Sequence, residues 1–285
     1  MDLRDCKVGL YEKALPQGLG WKEKIIEAKA AGYDFIEISI DETDERMARV
    51  KSGSREGKQI RKALMEADFP ILTMCLSGNR RFPIGSMDKK TREAGLALIR
   101  DAVDFAVATG IRIVQLAGYD EYYGSRSKDT ERLFLEGLKE SVRYAACRAV
   151  TLAIENVDTD FMDTLAKIKK YVDAVDSPWL KIYADIANLT ARGVSMQQLY
   201  ADIGQAYADT IAWHVKDGKL NVIRDTPYGD GIVDFDAFFA YLKEHGYAGL
   251  FVMEMWSDGS EVSIGYADTA RQFLRDKISI ATSAQ

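Results

Sequence analysis

The sequence repeats one pattern eight times: a short apolar run followed by a longer stretch with helical periodicity. The apolar runs, each a candidate strand, are Lys7–Tyr11, Phe35–Ile40, Ile71–Leu76, Ile111–Ala117, Val150–Glu155, Leu180–Asp185, Thr210–Val215 and Gly249–Met255. Eight units in 285 residues average roughly 36 residues each, the usual spacing of a (β/α)8 barrel. Strands separated by helices pair in parallel, because a parallel connection needs a crossover. We therefore predict an α/β fold, a (β/α)8 TIM barrel that occupies residues 1–285 as a single domain.

Amphipathic helices are predicted between these strands, at Trp21–Ala31, Gly57–Ala67, Thr91–Thr109, Asp129–Cys147, Asp160–Val175, Met196–Gly204, Asp234–His245 and Ser260–Ile278. In the third, the apolar face is formed by Leu96, Ile99, Val103, Ala106 and Val107. Gly110 follows where a helix-capping glycine belongs. A doubly wound open sheet is the alternative fold, but no strand is followed by GxGxxG or GxxxxGK[ST], and eight regular units favour closure.

Charge and cysteine content narrow the class of protein. The chain has 38 Lys+Arg against 44 Asp+Glu, a formal charge of −6, which is unlike a nucleic-acid binder. Its three cysteines form no CxxC pair, which favours a reducing compartment. The N-terminus lacks the apolar core of a signal peptide, and no uncharged apolar run approaches the ~18 residues that span a bilayer. We therefore expect a cytoplasmic protein without nucleic-acid or membrane partners.

Metal-binding or acid/base side chains end the last four candidate strands. Glu155 ends the fifth and Asp185 the sixth, while His214 and Glu254 lie near the ends of the seventh and eighth. In a TIM barrel the C-terminal ends of the strands carry the chemistry. For any one of these residues, a solvated strand-end charge or a structural core histidine is the alternative. Four in register on consecutive strands favour a common site.

Side-chain alternation along each strand places these four groups inside the barrel. In the seventh strand, for example, Ile211 and Trp213 face the helices, while Ala212 and His214 point inward. Three carboxylates crowded in a partly buried mouth repel each other unless a cation compensates them. Three oxygens and one nitrogen suit Mn²⁺ and tolerate Zn²⁺, Co²⁺ or Mg²⁺. We therefore predict one divalent metal ion, with Mn²⁺ favoured. The second histidine, His245, is interpreted as a favourable residue at a helix C-terminus.

Nine segments spread over the whole chain form a further signature: VGLYEKALP (8–16), FIEISIDETDERMARV (35–50), CLSGNRRFPIGS (75–86), QLAGYDEYY (115–123), IENVD (154–158), YADIANL (183–189), HVKD (214–217), PYGDGIVDF (227–235) and EMW (254–256). Together they resemble the L-ribulose 5-phosphate / L-xylulose 5-phosphate 3-epimerases, which are xylose-isomerase-like TIM barrels. The combination of NRRFPIGS, HVKD and EMW is specific, although each motif alone is weak.

The resemblance implies a metal-dependent epimerase that interconverts the two sugar phosphates at C3 through a cis-enediolate. Glu155, Asp185, His214 and Glu254 match the metal ligands of the superfamily, and the two glutamates match its acid/base pair. It also implies homodimerisation and a role in L-ascorbate catabolism. One position departs from the family loop His-Arg-Arg-Phe-Pro, because this chain has Asn79 in place of the histidine. That change affects the expected substrate preference and leaves the metal ligands untouched.

Four residues are predicted to bind the substrate. Arg80 and Arg81 can clamp its phosphate, because guanidinium groups form bidentate contacts with phosphate; a solvated loop is the alternative. Lys216 shares the inward parity of His214 and is predicted to steer the anionic substrate or to stabilise the enediolate, with a salt-bridged rim lysine as the alternative. Asn188 is predicted to hydrogen-bond a substrate hydroxyl.

Two loops are predicted to border the mouth. Residues 228–231 (YGDG) have the glycine content of a loop that closes over a ligand, next to the usual phosphate site of such barrels. Tyr122 and Tyr123 are predicted to belong to a lid, or to a subunit contact.

Other functions stay open at this point. They are a related ketose 3-epimerase or hexulose-6-phosphate isomerase, an abasic-site endonuclease on the same barrel, and a non-catalytic sugar-phosphate binder. The endonuclease is disfavoured because it needs more histidines than the two here and a basic surface. The presence of both Glu155 and Glu254 disfavours the binder.

Overall fold

The computed structural model describes residues 2–257 and 262–283. Its strands are β1 (Val8–Tyr11), β2 (Phe35–Ile40), β3 (Ile71–Leu76), β4 (Ile113–Ala117), β5 (Thr151–Glu155), β6 (Leu180–Asp185), β7 (Thr210–Val215) and β8 (Leu250–Met253). Each strand pairs in parallel with the next, and β8 pairs with β1, so the sheet closes into a barrel in sequence order. The predicted (β/α)8 TIM barrel is therefore confirmed, and the open-sheet alternative is excluded.

The helices are α1 (Trp21–Ala30), α2 (Asp44–Ala48), α3 (Arg55–Ala67), α4 (Lys89–Thr109), α5 (Lys128–Ala146), α6 (Leu165–Val175), α7 (Ile186–Thr190), α8 (Met196–Ala206), α9 (Phe235–Glu244) and α10 (Val262–Ser283). Short 3₁₀ turns occupy Leu3–Asp5, Glu12–Ala14, Gly78–Arg80 and Tyr207–Asp209. The sequence did not predict α2 or α7. The predicted start at Ser260 lies outside the described residues. No helix in the described part of the chain has the length and apolar content needed to cross a bilayer.

Two helix predictions need correction. Helix α6 begins at Leu165, not at Asp160, because Asp202 accepts hydrogen bonds from the first two backbone N–H groups of the observed helix. In α4, Gly110 caps the helix with a φ of 83°, as predicted. The predicted apolar face was wrong at Val107, which is 50% exposed. Val107 lies one residue past the buried Ala106, and hence about 100° around the helix axis from it.

Alternation along the strands divides the apolar residues into two layers. Inside the barrel, one cluster contains Tyr11, Phe35, Cys75, Ala153, Tyr183, Ala212 and Val252. A larger cluster, which includes Trp213, fills the space between the strands and the helices. Ile211 was predicted to face the helices, but it packs against the inner cluster. The register between β6 and β7 shifts by one residue there, since Ile182 pairs with Thr210 and Tyr183 with Ala212.

Candidate metal centre and active site

The four predicted metal ligands meet at the C-terminal end of the barrel. Glu155 ends β5, Asp185 ends β6, His214 lies in β7 and Glu254 directly follows β8. One ligand atom from each side chain lies within 4.8 Å of those of the other three, and all four residues are buried. Local structure supports this placement, since the Asp185 carboxylate accepts the backbone N–H of Asn188 and thereby caps α7. We call these four residues the mouth cluster.

Lys216 lies between two acids of the mouth cluster. Its Nζ is 2.7 Å from Asp185 Oδ2 and 2.7 Å from Glu254 Oε2. Although burial disfavours its charge, the two carboxylates raise the pKa of Lys216. Burial also opposes the ionisation of Glu254, but Lys216 and His214 lower its pKa to about 2. Burial raises the pKa of Asp185 to about 6 against the positive charge of Lys216.

His214 lies between two carboxylates inside the barrel. Its Nδ1 is 2.7 Å from Glu155 Oε1, and its Nε2 is 2.6 Å from Glu37 Oε1. Burial favours neutral imidazole, but the charges of Glu254, Glu37 and Glu155 outweigh it and raise the pKa of His214 well above its ordinary value.

The charges of this region fit a divalent cation. Four buried carboxylates (Glu37, Glu155, Asp185 and Glu254) face only two groups that can carry positive charge, Lys216 and His214, so acidic groups outnumber basic groups by two. Burying unpaired charge is costly, and a bound dication would offset most of this excess, because His214 must give up its ring proton to ligate the ion. The donor set of three carboxylates and one imidazole suits Mn²⁺, Mg²⁺, Co²⁺ or Zn²⁺. The residues present therefore fit the predicted metal.

Two polar residues that the sequence analysis did not single out contact the mouth cluster from strand interiors. Glu37, in the middle of β2, is fully buried. Gln115, in β4, donates a hydrogen bond from its side-chain amide to Glu155 Oε2. Both could have been found by the same alternation that found the ligands, because each is polar within an otherwise apolar run. They were missed because only residues at the ends of the strands were considered as candidate site residues.

Two asparagines join the ends of β5 and β6. Asn156 accepts the N–H of Asp185 at 2.7 Å and donates to its carbonyl at 3.0 Å. Asn188 donates from Nδ2 to the carbonyl of Asn156 at 2.8 Å, whereas its buried Oδ1 has no partner among the described residues. Its donor is therefore engaged in holding the strand ends, and only its acceptor oxygen is without a partner among the described residues.

The two adjacent arginines point to different surroundings. The Arg80 guanidinium lies 5.6 Å from the ring centroids of both Tyr119 and Tyr122. Arg81 instead pairs through Nη1 with Asp44 Oδ1 at 2.6 Å, and its side chain is 45% exposed. The predicted pair is thus split, with Arg80 half-buried among tyrosines and Arg81 on the surface.

A cavity of about 150 Å³ adjoins the mouth cluster on the side of β7 and β8. Its lining includes Lys216, Arg224, Tyr228, Glu254 and Trp256. The Trp256 ring lies 5.6 Å from Lys216 Nζ and 5.1 Å from the Arg224 guanidinium. Two positive groups and an aromatic face therefore line the space next to the predicted ligands, together with the carboxylates of Asp217, Asp225 and Glu254.

The loop after β7 is folded around one buried carboxylate. Asp217 accepts backbone hydrogen bonds from four residues of this loop: Gly218, Gly229, Gly231 and Val233. A side chain at Gly231 would not fit, since its Cβ would lie 2.0 Å from Asp217 Oδ1. Gly231 thus allows close approach to Asp217, and Gly229 adopts a φ of 90°, a conformation that glycine favours. Closure of this loop over a ligand stays a prediction.

Tyr122 and Tyr123 lie at the exposed rim. Their rings are T-shaped with centroids 4.8 Å apart, and the Tyr123 hydroxyl donates to Glu42 Oε2 at 2.9 Å. This contact joins the loop after β4 to the loop after β2, on the rim that the lid hypothesis requires.

Comparison with known proteins places the chain in a family. A family model described as xylose isomerase-like TIM barrel matches residues 25–277. The chain belongs to the xylose isomerase-like TIM barrel family. An enzyme named L-ribulose-5-phosphate 3-epimerase UlaE, from Escherichia coli O157:H7 (strain EC4115 / EHEC), is 42% identical over 279 residues, which cover 98% of this chain and 97% of that protein.

Solved structures share the fold of this family member. A D-allulose 3-epimerase from Methylomonas sp., in complex with D-allulose, has a TM-score of 0.77 at 20% identity and covers 95% of this chain and 97% of that one. An L-ribulose 3-epimerase has a TM-score of 0.76 at 18% identity and covers 98% and 96%. The resemblance inferred from the nine sequence segments is confirmed.

Asn79, the departure from the family loop, is buried within its own loop. Its Nδ2 donates to the carbonyl of Phe82 at 3.3 Å, and its Oδ1 has no partner in the described part of the chain. In this member of the xylose isomerase-like family, the position therefore braces the segment that carries Arg80.

Proposed function

We propose that the protein is a metal-dependent isomerase that interconverts L-ribulose 5-phosphate and L-xylulose 5-phosphate at C3. The mouth cluster carries the proposal, because it unites three buried carboxylates and an imidazole at the end of the barrel where such enzymes react. The 42% identity to a protein named L-ribulose-5-phosphate 3-epimerase over nearly the whole chain supports the same reaction.

The chemistry requires two proton-transfer groups. Epimerisation at C3 removes the proton adjacent to the C2 carbonyl and returns a proton to the opposite face. Glu155 and Glu254 suit these roles, because β6 and β7 separate them around the barrel and they can approach the sugar from different sides. Positioned general acids and bases each contribute about 10²–10⁴ in rate.

A metal ion and Lys216 would supply positive charge at this site. A divalent cation held by Glu155, Asp185, His214 and Glu254 would act as a Lewis acid on the substrate oxygens, worth several kcal/mol. Lys216, paired with Asp185 and Glu254, adds positive charge where the carbonyl oxygen becomes negative. Mn²⁺ is favoured for the ion, with Zn²⁺, Co²⁺ and Mg²⁺ as alternatives.

The reaction itself is tested by NMR of the metal-loaded protein with L-ribulose 5-phosphate in D₂O. We expect L-xylulose 5-phosphate to accumulate with deuterium at C3. Binding of the sugar phosphate without deuterium incorporation would instead indicate a binding protein. Incorporation only with an unphosphorylated ketose would indicate an epimerase with another substrate. Glu136→Gln, an exposed change on α5, is the matched control and should leave the rate unchanged.

Binding of the phosphate is assigned to Arg80 in the first place. Arg80→Ala is expected to raise KM for the phosphorylated sugar about 10- to 100-fold, the worth of one charge-assisted hydrogen bond. Arg81→Ala should raise it less, because Asp44 already pairs with Arg81. Steady-state kinetics with L-ribulose as the unphosphorylated comparison isolate the phosphate contribution. An unchanged KM in both variants would remove the assignment.

Asn188 and Lys216 complete the proposed substrate site. The free acceptor oxygen of Asn188 supports a contact with a substrate hydroxyl, and the charge of Lys216 supports attraction of the anionic sugar. A cytoplasmic location, a homodimer and a role in L-ascorbate catabolism stay predictions from the sequence.

A further inference from the structure

Glu37 is a fully buried carboxylate on the opposite edge of the His214 ring from the mouth cluster. Its Oε1 lies 2.6 Å from Nε2 of the imidazole, while Nδ1 faces Glu155 and Glu254 at 2.7 and 3.9 Å. We propose that Glu37 is a positioning residue, which holds the His214 imidazole in the tautomer and orientation that present Nδ1 to the metal ion. The proposal rests on the metal site of the proposed function and adds a residue outside the four ligands.

The hydrogen bonds around Glu37 determine which ring nitrogen carries the proton. Its Oε2 accepts from the hydroxyls of Tyr183 and Thr73, each at 2.7 Å. Two hydroxyls donate to one oxygen of Glu37, and its other oxygen faces a ring nitrogen, so the carboxylate is placed to accept on both sides. The Nε2 of His214 must then be the N–H donor. In the neutral ring that a metal ligand requires, Nδ1 is then the nitrogen whose lone pair is left for a ligand role.

The rest of the inner layer restrains the same ring. Tyr183 packs against the imidazole with centroids 4.6 Å apart, and Tyr11 lies 6.4 Å away. Thr73 pairs directly with Glu37 across β2 and β3, so the hydroxyl that fixes the carboxylate is itself fixed by the sheet. The imidazole is therefore held on its edge and on its face.

A direct ligand role does not fit Glu37. Both of its oxygens are engaged by His214, Tyr183 and Thr73, and it is not one of the four residues whose ligand atoms meet within 4.8 Å. A role confined to stability does not explain the choice of residue either, because a well-packed apolar side chain at a buried position is commonly as stable as a charged one. Metal ligands of the histidine type commonly donate their second N–H to a carboxylate, and loss of that partner costs about 10- to 100-fold in metal affinity.

The first experiment measures Co²⁺ and Zn²⁺ affinity of the full chain by calorimetry and by chelator competition, without substrate. Glu37→Gln and Glu37→Leu should weaken binding, by about 10- to 100-fold for the leucine variant and by less for the glutamine variant. Thr73→Val and Tyr183→Phe, which remove one donor each to Glu37, should weaken it less again. Asp120→Asn is the matched control, because Asp120 is a fully buried carboxylate that pairs with Arg126 and Thr130 away from the mouth cluster.

The second experiment reads the tautomer directly. The chain has two histidines, so the imidazole ¹⁵N spectrum of the Zn²⁺-loaded protein contains two ring systems, and His245→Asn assigns them. The wild type should show His214 protonated at Nε2 with Nδ1 bound to the metal, and Glu37→Leu should show a mixture. A wild-type ring bound through Nε2, or folded Glu37 variants with unchanged affinity and tautomer, would overturn the proposal. If Glu37→Leu does not fold, the glutamine, Thr73 and Tyr183 variants decide by the same criteria.

These outcomes separate the proposal from the proposed function. Metal binding with the expected tautomer but without deuterium exchange on any sugar would refute the epimerase and retain the role of Glu37. Exchange at C3 with Glu37 variants of wild-type metal affinity would retain the epimerase and refute this role. Failure of the wild type to bind a divalent metal would refute both.

Discussion

Glu12 and the mouth cluster are both buried groups of charges, but their charges balance in opposite ways. Glu12, in the 3₁₀ turn after β1, pairs with Lys24, Arg46 and Arg49, a group called here the Glu12 cluster. One carboxylate thus pairs with three cations. Glu56 offsets part of the excess positive charge, because its Oε1 lies 2.9 Å from Arg49 Nε. Around the mouth cluster, with Glu37 included, four carboxylates face two basic groups, Lys216 and His214.

The difference distinguishes a cluster that stabilises the fold from a candidate reactive cluster. Glu12 also accepts the backbone N–H of Ser39, so its cluster joins β2 to α1 and α2 through ion pairs and hydrogen bonds within the chain. The mouth cluster has more carboxylates than basic groups around it, and a bound cation would supply the missing positive charge. Perturbed carboxylates therefore occur in both places, and the charge balance separates a structural network from a candidate catalytic site.

The largest expected effect is on catalysis. Glu155→Gln or Glu254→Gln should reduce deuterium exchange at C3 by about 10²–10⁴-fold, because each removes a proton-transfer group. Both variants should still fold, but Glu254→Gln should unfold at a lower temperature than the wild type, because Lys216 and His214 stabilise the ionised carboxylate of Glu254. Exchange rates and thermal melts measure the two effects. Near-normal turnover in either variant would contradict the two-carboxylate scheme.

The same substitution in the Glu12 cluster should act on stability. Glu12→Gln leaves three buried cations without their carboxylate, and breaking a buried pair in this way costs about 3–5 kcal/mol. Urea unfolding gives the free energy of unfolding, and Co²⁺ titration gives the metal affinity, which should not change. A loss of metal affinity without a loss of stability would reverse the distinction between the clusters.

The stabilising effect of the Glu12 cluster should depend on pH in the acidic range. Burial disfavours its charge, but Arg49, Lys24 and Arg46 lower the pKa of Glu12 to about 2. Because the folded pKa lies below the unfolded one of about 4.3, the ionised form stabilises the fold at neutral pH, by about 3 kcal/mol. This contribution should be lost as the pH falls from about 5 to about 2. Glu12→Gln should flatten that part of the stability profile, and a profile like that of the wild type would contradict the assignment.

Removal of metal should have the smallest of these effects, and only at the mouth. Bound metal at 100 times its Kd stabilises a protein by about 2.7 kcal/mol, so a chelator should lower the free energy of unfolding by that amount. The decrement should be the same in Glu12→Gln, because the two clusters share no residue. Urea unfolding of both proteins with and without EDTA measures it. A decrement that disappears in Glu12→Gln would show that the clusters are coupled.

Much of the barrel could be predicted because its strands are short apolar runs that are recognisable in the sequence. The bounds of β2, β3, β6 and β7 agree with the predicted ones, since polar or turn residues mark their ends. Helices α2 and α7 were missed, because each has five residues and depends on contacts distant in sequence. Arg46 of α2 is held by Glu12, and Asn188 of α7 by Asn156.

The site could be predicted wherever the alternation of side chains along a strand determines which of them point into the barrel. Alternation placed Glu155, Asp185, His214 and Glu254 at one mouth, where the structure finds them. It failed at Ile211, because a register shift between β6 and β7 cannot be read from one strand alone. The divergence of Arg80 and Arg81 was equally hidden, since it depends on Asp44 and on tyrosines from other loops.

Asp217 has a consequence for how this barrel can be diversified. One carboxylate gathers the start and the end of the loop after β7, and residues 220–226 lie between these two ends. Within this segment, the backbone N–H of Asn221 donates to the carbonyl of Ala191 at 2.8 Å. Leu220 and Val222 are exposed, while Arg224 lines the cavity beside Trp256. Residues 220–226 can therefore be substituted, in evolution or by design, to change one wall of the cavity while the barrel stays intact.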